Sequence, residues 1–285
     1  MKVLITGGKG MLGRTLCRRL VAHEVLVADL PEVDITHLRQ LEEAVRGFGP
    51  EVIIHCAAMT AVDACESQVE LAYKVNALGS ANVAVSAFRA RAWLIAISTD
   101  YVFDGRLDRP YHEWDVPLPA TVYGQSKLAG ERAVQMHCPE HTIVRTAWLY
   151  GPGGPSFLHT MLKLGHEEGP SLKVVNDQLG NPTSTDALAG ALAWLMEQRV
   201  PGIVHATCEG EATWYEFARE IFKLWGLRRP LEPCTTREFP RPAPRPANSR
   251  LEKRVLRLAG GPEMPEWREA LSSFRKFNFD GEIKN

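Results

Sequence analysis

A phenol and an ammonium stand four residues apart in the stretch YGQSK, at Tyr123 and Lys127. On a helix that spacing puts both side chains on one face. The chemistry open to the pair is proton transfer. A free tyrosine titrates near pH ~10, too high for efficient transfer at neutrality, and a neighbouring ammonium favours the phenolate and lowers that value. Thr99 ends the apolar run AWLIAIST upstream of the pair. Its hydroxyl could bind a substrate oxygen that gains negative charge. Taken alone, Tyr-x-x-x-Lys is usually a surface pair, so the elements that position it must decide.

The first of these is GGKGMLG, which sets Gly7, Gly10 and Gly13 between a strand-like run and a helical one. Gly7 permits the tight turn, Gly10 lets backbone approach a pyrophosphate, and Gly13 lets the helix pack on the sheet. Met11 and Leu12 open the helix, where free N–H groups and a partial positive charge attract phosphate. Asp29 ends the second strand-like run. It would accept hydrogen bonds from an adenosine ribose, which favours NADH. Lys9 and Arg14 could supply the cation that the 2′-phosphate of NADPH requires, although their positions alone suit solvated side chains better. In VDIT, Asp34 and Ile35 are placed to cover the adenine, with a helix-capping turn as the plainer role for Asp34.

KVLITGG, EVLVAD, EVIIHCAA, AWLIAIST and HTIVRTAWLY read as strands, and the segments between them carry helical apolar patterns, including one long helix over 66–90 and another from Thr121 to about Met136. This alternation predicts an α/β fold, a Rossmann-like doubly wound parallel sheet that binds ligands beyond the carboxyl ends of its strands. After Tyr150 the turn-rich GPGGPS marks a change of character. The expected division is a dinucleotide-binding domain of 1–153 and 178–207, and a smaller C-terminal substrate lobe of 154–177 and 208–285. The 285 residues are 45% hydrophobic and 24% charged, with a net charge of −1. Nothing in that balance points to nucleic acid or an anionic membrane. The six cysteines form no CxxC pair, and no histidine lies in a ligand-spaced cluster, so no metal site is expected. Met1 leads straight into a strand, no run is long enough to span a membrane, and a cytoplasmic protein is the natural reading.

These motifs together resemble the extended short-chain dehydrogenase/reductases, and within them the dTDP-4-dehydrorhamnose reductases. The resemblance spans nearly the whole chain and rests on GGKGMLG, HCAAMTAVDACE, VNALG, ISTDYVFDG, YGQSKLAGE, RTAWLYG, DQLGNPT and RPANSRL. It implies reduction of a dTDP-linked 4-keto-6-deoxy sugar by NADPH or NADH. Tyr123 would give a proton to the C4 oxygen, Lys127 would tune it and hold the nicotinamide ribose, and Thr99 would orient the substrate. Ala57, Ala58 and Thr60 match the loop along the cofactor, and Asn76 matches a helix asparagine. Thr60, Val62, Asp100 and Trp148 match positions near the sugar. Arg245 and Arg250 would hold the pyrophosphate, with a solvated proline-rich loop as the plainer reading of that basic stretch. Some members carry an acidic residue after the glycine loop for a metal shared between subunits. Thr15 stands there instead, so no such metal is expected, and the chain could be a monomer or a homodimer. A 4,6-dehydratase would follow its threonine with Asp then Glu, whereas here Asp100 and Tyr101 follow. An epimerase, another 4-ketoreductase, and a non-catalytic regulator resembling that of methionine adenosyltransferase are the competing readings.

Overall fold

The computed structural model describes residues 1–279. Its central sheet has six parallel strands: β1 (Lys2–Thr6), β2 (Glu24–Ala28), β3 (Val52–His55), β4 (Trp93–Thr99), β5 (His141–Thr146) and a late strand, Gly202–His205. From edge to edge the order is β2, β1, β3, β4, β5, then Gly202–His205. The chain therefore winds outward in both directions from β1, and a crevice opens where the order reverses, between β1 and β3. The register pairs Thr6 with both Ala28 and His55, and Thr99 with Thr146. Gly7, Asp29 and Cys56 consequently leave the sheet side by side at its carboxyl edge.

Both faces of the sheet are covered, which is why its strands are continuous apolar runs rather than alternating ones. Val3, Ile5 and Val52 point to one face, under Leu12 and Leu16 of α1 (Met11–Arg19) and Leu188, Leu192 and Leu195 of the helix Thr185–Gln198. Leu4, Ile53 and Leu94 point to the other, under α2 (Leu38–Phe48), the helix Ser80–Ala90 and Val134 of the helix Val122–His137.

The chain departs from the single long helix expected over 66–90. The chain forms α3 (Val62–Ser67), α4 (Val69–Tyr73), a π-helical turn (Lys74–Gly79) and α5 (Ser80–Ala90). The wide turn lets Asn76 reach out of the helix, where its amide grips both the N–H and the carbonyl of Met59 at 2.8 and 3.1 Å. A second departure lies in the strand expected over 141–150. It stops at Thr146, Trp148 takes a left-handed φ of 47°, and Leu149–Tyr150 pair instead with Thr183–Ser184.

The helices Phe157–His166, Trp214–Trp225 and Trp267–Phe279 pack around a separate apolar core that includes Tyr150, Phe217 and Trp267. All six cysteines are free thiols. Among the described residues no helix is long and apolar enough to cross a membrane.

Candidate active site

A cleft of about 690 Å³ lies over the carboxyl edge of the sheet. The glycine turn forms its floor. Gly7 has φ +68°, and a Cβ there would sit 2.6 Å from the Ala57 nitrogen, so only glycine lets β1 and β3 exits approach this closely. Gly13 is as tightly held: a Cβ would lie 2.4 Å from the Gly7 carbonyl oxygen. α1 begins at Gly10 with no side chain capping its first N–H groups, so Met11 and Leu12 present them to the cleft. That is a fitting seat for a pyrophosphate. The Asp29 carboxylate accepts the backbone N–H groups of Lys9 and Leu30, both at 2.8 Å, which fixes it at the rim. Lys9 itself turns outward to Glu32 at 2.7 Å. Asp34 and Ile35 line the same wall, with Ile35 pressed under Gly79. Ala57, Ala58, Thr60 and Val62 complete the side that leads away from β3.

The reactive groups meet at the inner end of this cleft. α6 (Val122–His137) starts where the Thr121 hydroxyl accepts the Gly124 N–H at 3.0 Å, which leaves Tyr123 in the first turn and Lys127 one turn on. Gly124 and Gly130 allow the approach of α6. A Cβ at Gly124 would lie 2.1 Å from the Tyr101 carbonyl oxygen, and one at Gly130 2.3 Å from that of Asn76. Ser126 donates to the Tyr123 carbonyl and accepts from the Asn76 amide, at 2.9 and 3.0 Å. The residues between the phenol and the ammonium thus lock the helix against the π-helical turn.

Thr99, Asp100, Tyr123 and Lys127 are all buried, yet all line the cleft. Thr99 donates to Asp100 Oδ1 at 2.8 Å and accepts the Tyr101 N–H at 3.2 Å. Burial pushes the Asp100 carboxyl up to about 6. The Lys127 ammonium donates to the Ile97 carbonyl at 2.8 Å, and burial brings it down to about 8. The Tyr123 phenol moves upward instead. Burial raises the phenol well above its ordinary value, the Thr99 hydroxyl opposes that rise, and the Asp100 charge adds to it. A raised value keeps Tyr123 protonated, which suits a proton donor.

Trp148 closes the far wall. Its indole stacks on Trp214 with centroids 3.4 Å apart and donates to the Ser249 hydroxyl at 3.0 Å. Beyond the stack lies a second cleft of about 570 Å³, where Trp214, Phe157 and Phe239 offer aromatic surface and Arg241 and Arg245 offer charge. Arg245 is held there by Asp63 at 3.0 Å. The expectation for Arg250 needs correction. Its guanidinium is taken up by Asn248 at 2.8 Å, Glu211 at 2.6 Å and the Asp108 carbonyl at 2.7 Å, and it lines neither cleft. It ties loops together instead. Thr15 is buried and donates to Thr185 at 2.9 Å, inside the chain.

Sequence reasoning passed over Asp63, Trp214, Gln178 and Ser249. Trp214 opens an amphipathic helix and reads as core. Asp63 is complementary to a residue 182 positions away (245 − 63), which no local pattern reveals.

The fold, the glycine turn and the Thr99–Tyr123–Lys127 cluster define an extended short-chain dehydrogenase/reductase. The family described as RmlD substrate binding domain matches residues 1–277. The spore coat polysaccharide biosynthesis protein SpsK of Bacillus subtilis is 40% identical, over 96% of each chain. A dTDP-4-dehydrorhamnose reductase structure from Clostridium acetobutylicum superposes with a TM-score of 0.95 at 45% identity, over 97% of this chain and 99% of that one. Another from Bacillus anthracis, in complex with NADP, gives 0.94 at 40% identity, over 96% and 98%. The chain belongs to the dTDP-4-dehydrorhamnose reductase family.

Proposed function

We propose that the protein reduces the C4 keto group of dTDP-4-dehydro-6-deoxy-L-mannose (dTDP-4-dehydrorhamnose) to give dTDP-L-rhamnose, in the cytoplasm. The observation that carries this is the meeting of Thr99, Tyr123 and Lys127 at the end of a cleft that begins at an uncapped helix N-terminus. NADPH or NADH supplies the hydride. Met11 and Leu12 N–H groups hold its pyrophosphate, and Asp29 suits a ribose diol, while Lys9 is the nearest candidate for a 2′-phosphate. The complex of the Bacillus anthracis relative with NADP supports NADPH. Tyr123 donates its proton to the C4 oxygen, and Thr99 hydrogen-bonds that oxygen as its charge grows. Thr60, Val62 and Trp148 flank the sugar. The nucleotide half lies in the second cleft, where Arg245 meets the pyrophosphate. On this reading the dinucleotide-binding domain is 1–153 with 178–207, and the remainder forms the substrate lobe.

The test is direct. Purified protein is mixed with the dTDP-4-keto-6-deoxy-L-hexulose and either reduced cofactor, and absorbance of the cofactor is followed. Oxidation dependent on the sugar is expected. Folded protein that oxidises neither cofactor refutes the proposal.

A further inference from the structure

Among the described residues, three that are not glycine take a left-handed φ. Arg91 and Arg199 close helices, where that turn is common. Trp148, at φ 47°, closes none and lines the first cleft. Such a conformation is costly for a bulky side chain and persists only where the surroundings fix it.

The surroundings of Trp148 do so from several sides. Gly180 meets the indole with no side chain between them: a Cβ there would sit 2.2 Å from Trp148 Cε2. Leu179–Gly180 pairs with Ala212–Thr213, which delivers Trp214 to the same place. The two indoles then lie 3° from parallel with centroids 3.4 Å apart. Aromatic rings prefer an offset or edge-on approach, so an overlap this full is held from outside. Trp148 Nε1 donates to the Ser249 hydroxyl at 3.0 Å, and Trp214 Nε1 donates to Gln178 Oε1 at 3.1 Å. An indole N–H can only donate, which sets the sense of the bonds behind it. The Gln178 amide donates to Thr236 Oγ1 at 2.9 Å, and Thr236 gives its own proton to Asp177 at 2.6 Å. Gln178 is buried, and both ends of its amide are spent.

We propose that Trp214, held by Gln178, is a positioning residue for the reaction: it backs the Trp148 indole and so fixes the wall against which the sugar is set for hydride transfer to C4. From its place in the second cleft alone, Trp214 would affect only the KM of the sugar nucleotide. As the backing of Trp148 it affects kcat as well, because a reacting carbon displaced by a fraction of an ångström leaves the productive geometry. This rests on the reading that the sugar lies beside Trp148.

The experiment is a double-mutant cycle in kcat and KM, with the dTDP-4-keto-6-deoxy-L-hexulose and NADPH, over wild type, Trp148→Leu, Trp214→Leu and the double variant. Each single substitution is expected to lower kcat roughly tenfold or more. The double variant is expected within about twofold of Trp148→Leu, since Trp214 then has nothing to back. The KM for NADPH should stay within about twofold throughout, because the glycine turn is untouched. Losses in kcat that multiply in the double variant overturn the proposal. So does a near-normal kcat in either single variant, including a Trp214→Leu protein in which only the sugar-nucleotide KM rises. Should a Trp variant fail to fold, Gln178→Leu keeps both rings and removes only the acceptor. Its kcat is expected to fall roughly threefold or more, and a near-normal value overturns the proposal. A wild type that turns over nothing refutes the reductase reading itself, a result distinct from each of these.

Discussion

The two clefts of this molecule are built by different means. The first stands on strand ends and a helix N-terminus, and much of what it presents is backbone: the Gly7 turn, the free N–H groups of Met11 and Leu12, the loop at Ala57 and Ala58. The second is made of side chains from widely separated segments, with Phe157, Gln178, Trp214 and Arg245 converging only because the lobe folds over them. The Trp148–Trp214 stack is the wall between them, one indole lining each cleft. On the proposed function, the first cleft would fix the chemistry and the second what is presented to it. Changes in the first should fall on kcat, and changes in the second on KM.

The largest effect follows from Tyr123. Replacing it with Phe keeps the ring that meets Tyr101 edge-on at 5.5 Å but removes the proton. Turnover should fall by roughly 10²–10⁴-fold, with sugar-nucleotide KM little changed. Steady-state kinetics check this. Near-normal turnover in Tyr123→Phe would assign the proton to another group and dissolve the division of labour between the clefts.

Acid should attack the two regions unequally. His55 bonds Thr6 and Ser80 at the base of the first cleft, and His205 bonds the Glu252 carbonyl at the sheet edge. Burial pushes both down to about 3, with Lys127 adding to the effect on His55 and Arg145 on His205. Below about pH 6.5 the unfolded chain binds protons that these folded imidazoles refuse, so stability falls steadily as pH drops from there toward about 3. Asp100, raised when folded, works in the opposite sense below about pH 6 and offsets part of the loss. The net loss by about pH 4 should be on the order of a few kcal/mol. Urea unfolding across this range measures it, and a flat profile would mean that the histidines open to water before the sheet gives way.

Legibility from sequence divides along the same line. Gly7, Asp29, Thr99, Tyr123 and Lys127 could be found because each sits at a strand end or at a fixed offset along one helix, where local pattern and topology determine position. Gly124 and Gly130 had no reason in sequence and have one in the fold, since the carbonyls of Tyr101 and Asn76 press against them. The break in the helix over 66–90 was invisible because its cause is Met59, whose backbone Asn76 must reach. Trp148 falls within a run that reads as one straight strand, because its φ follows from tertiary packing against Gly180 and Trp214, not from its neighbours in the chain. Asp63 and Trp214 gain meaning only from partners distant in sequence.

Two arginines, five positions apart in the same basic stretch, give the finest test. Arg245 lies in the second cleft at 20% side-chain exposure, paired with Asp63, whereas Arg250 has its fork spent on Asn248, Glu211 and Asp108. Arg245→Met should raise the sugar-nucleotide KM by roughly ten- to a hundredfold, the loss of one charge-assisted bond to phosphate, with kcat within about threefold. Arg250→Met should leave KM within about twofold and instead lower stability by ~1–3 kcal/mol, because Asn248 and the Asp108 carbonyl lose their donor. KM from steady-state rates and midpoints from urea unfolding separate the two outcomes. Equal effects of both variants on KM would mean that Arg250 leaves its partners when the nucleotide arrives. The line between residues that meet ligand and residues that hold the cleft's walls would then have to be redrawn through this loop.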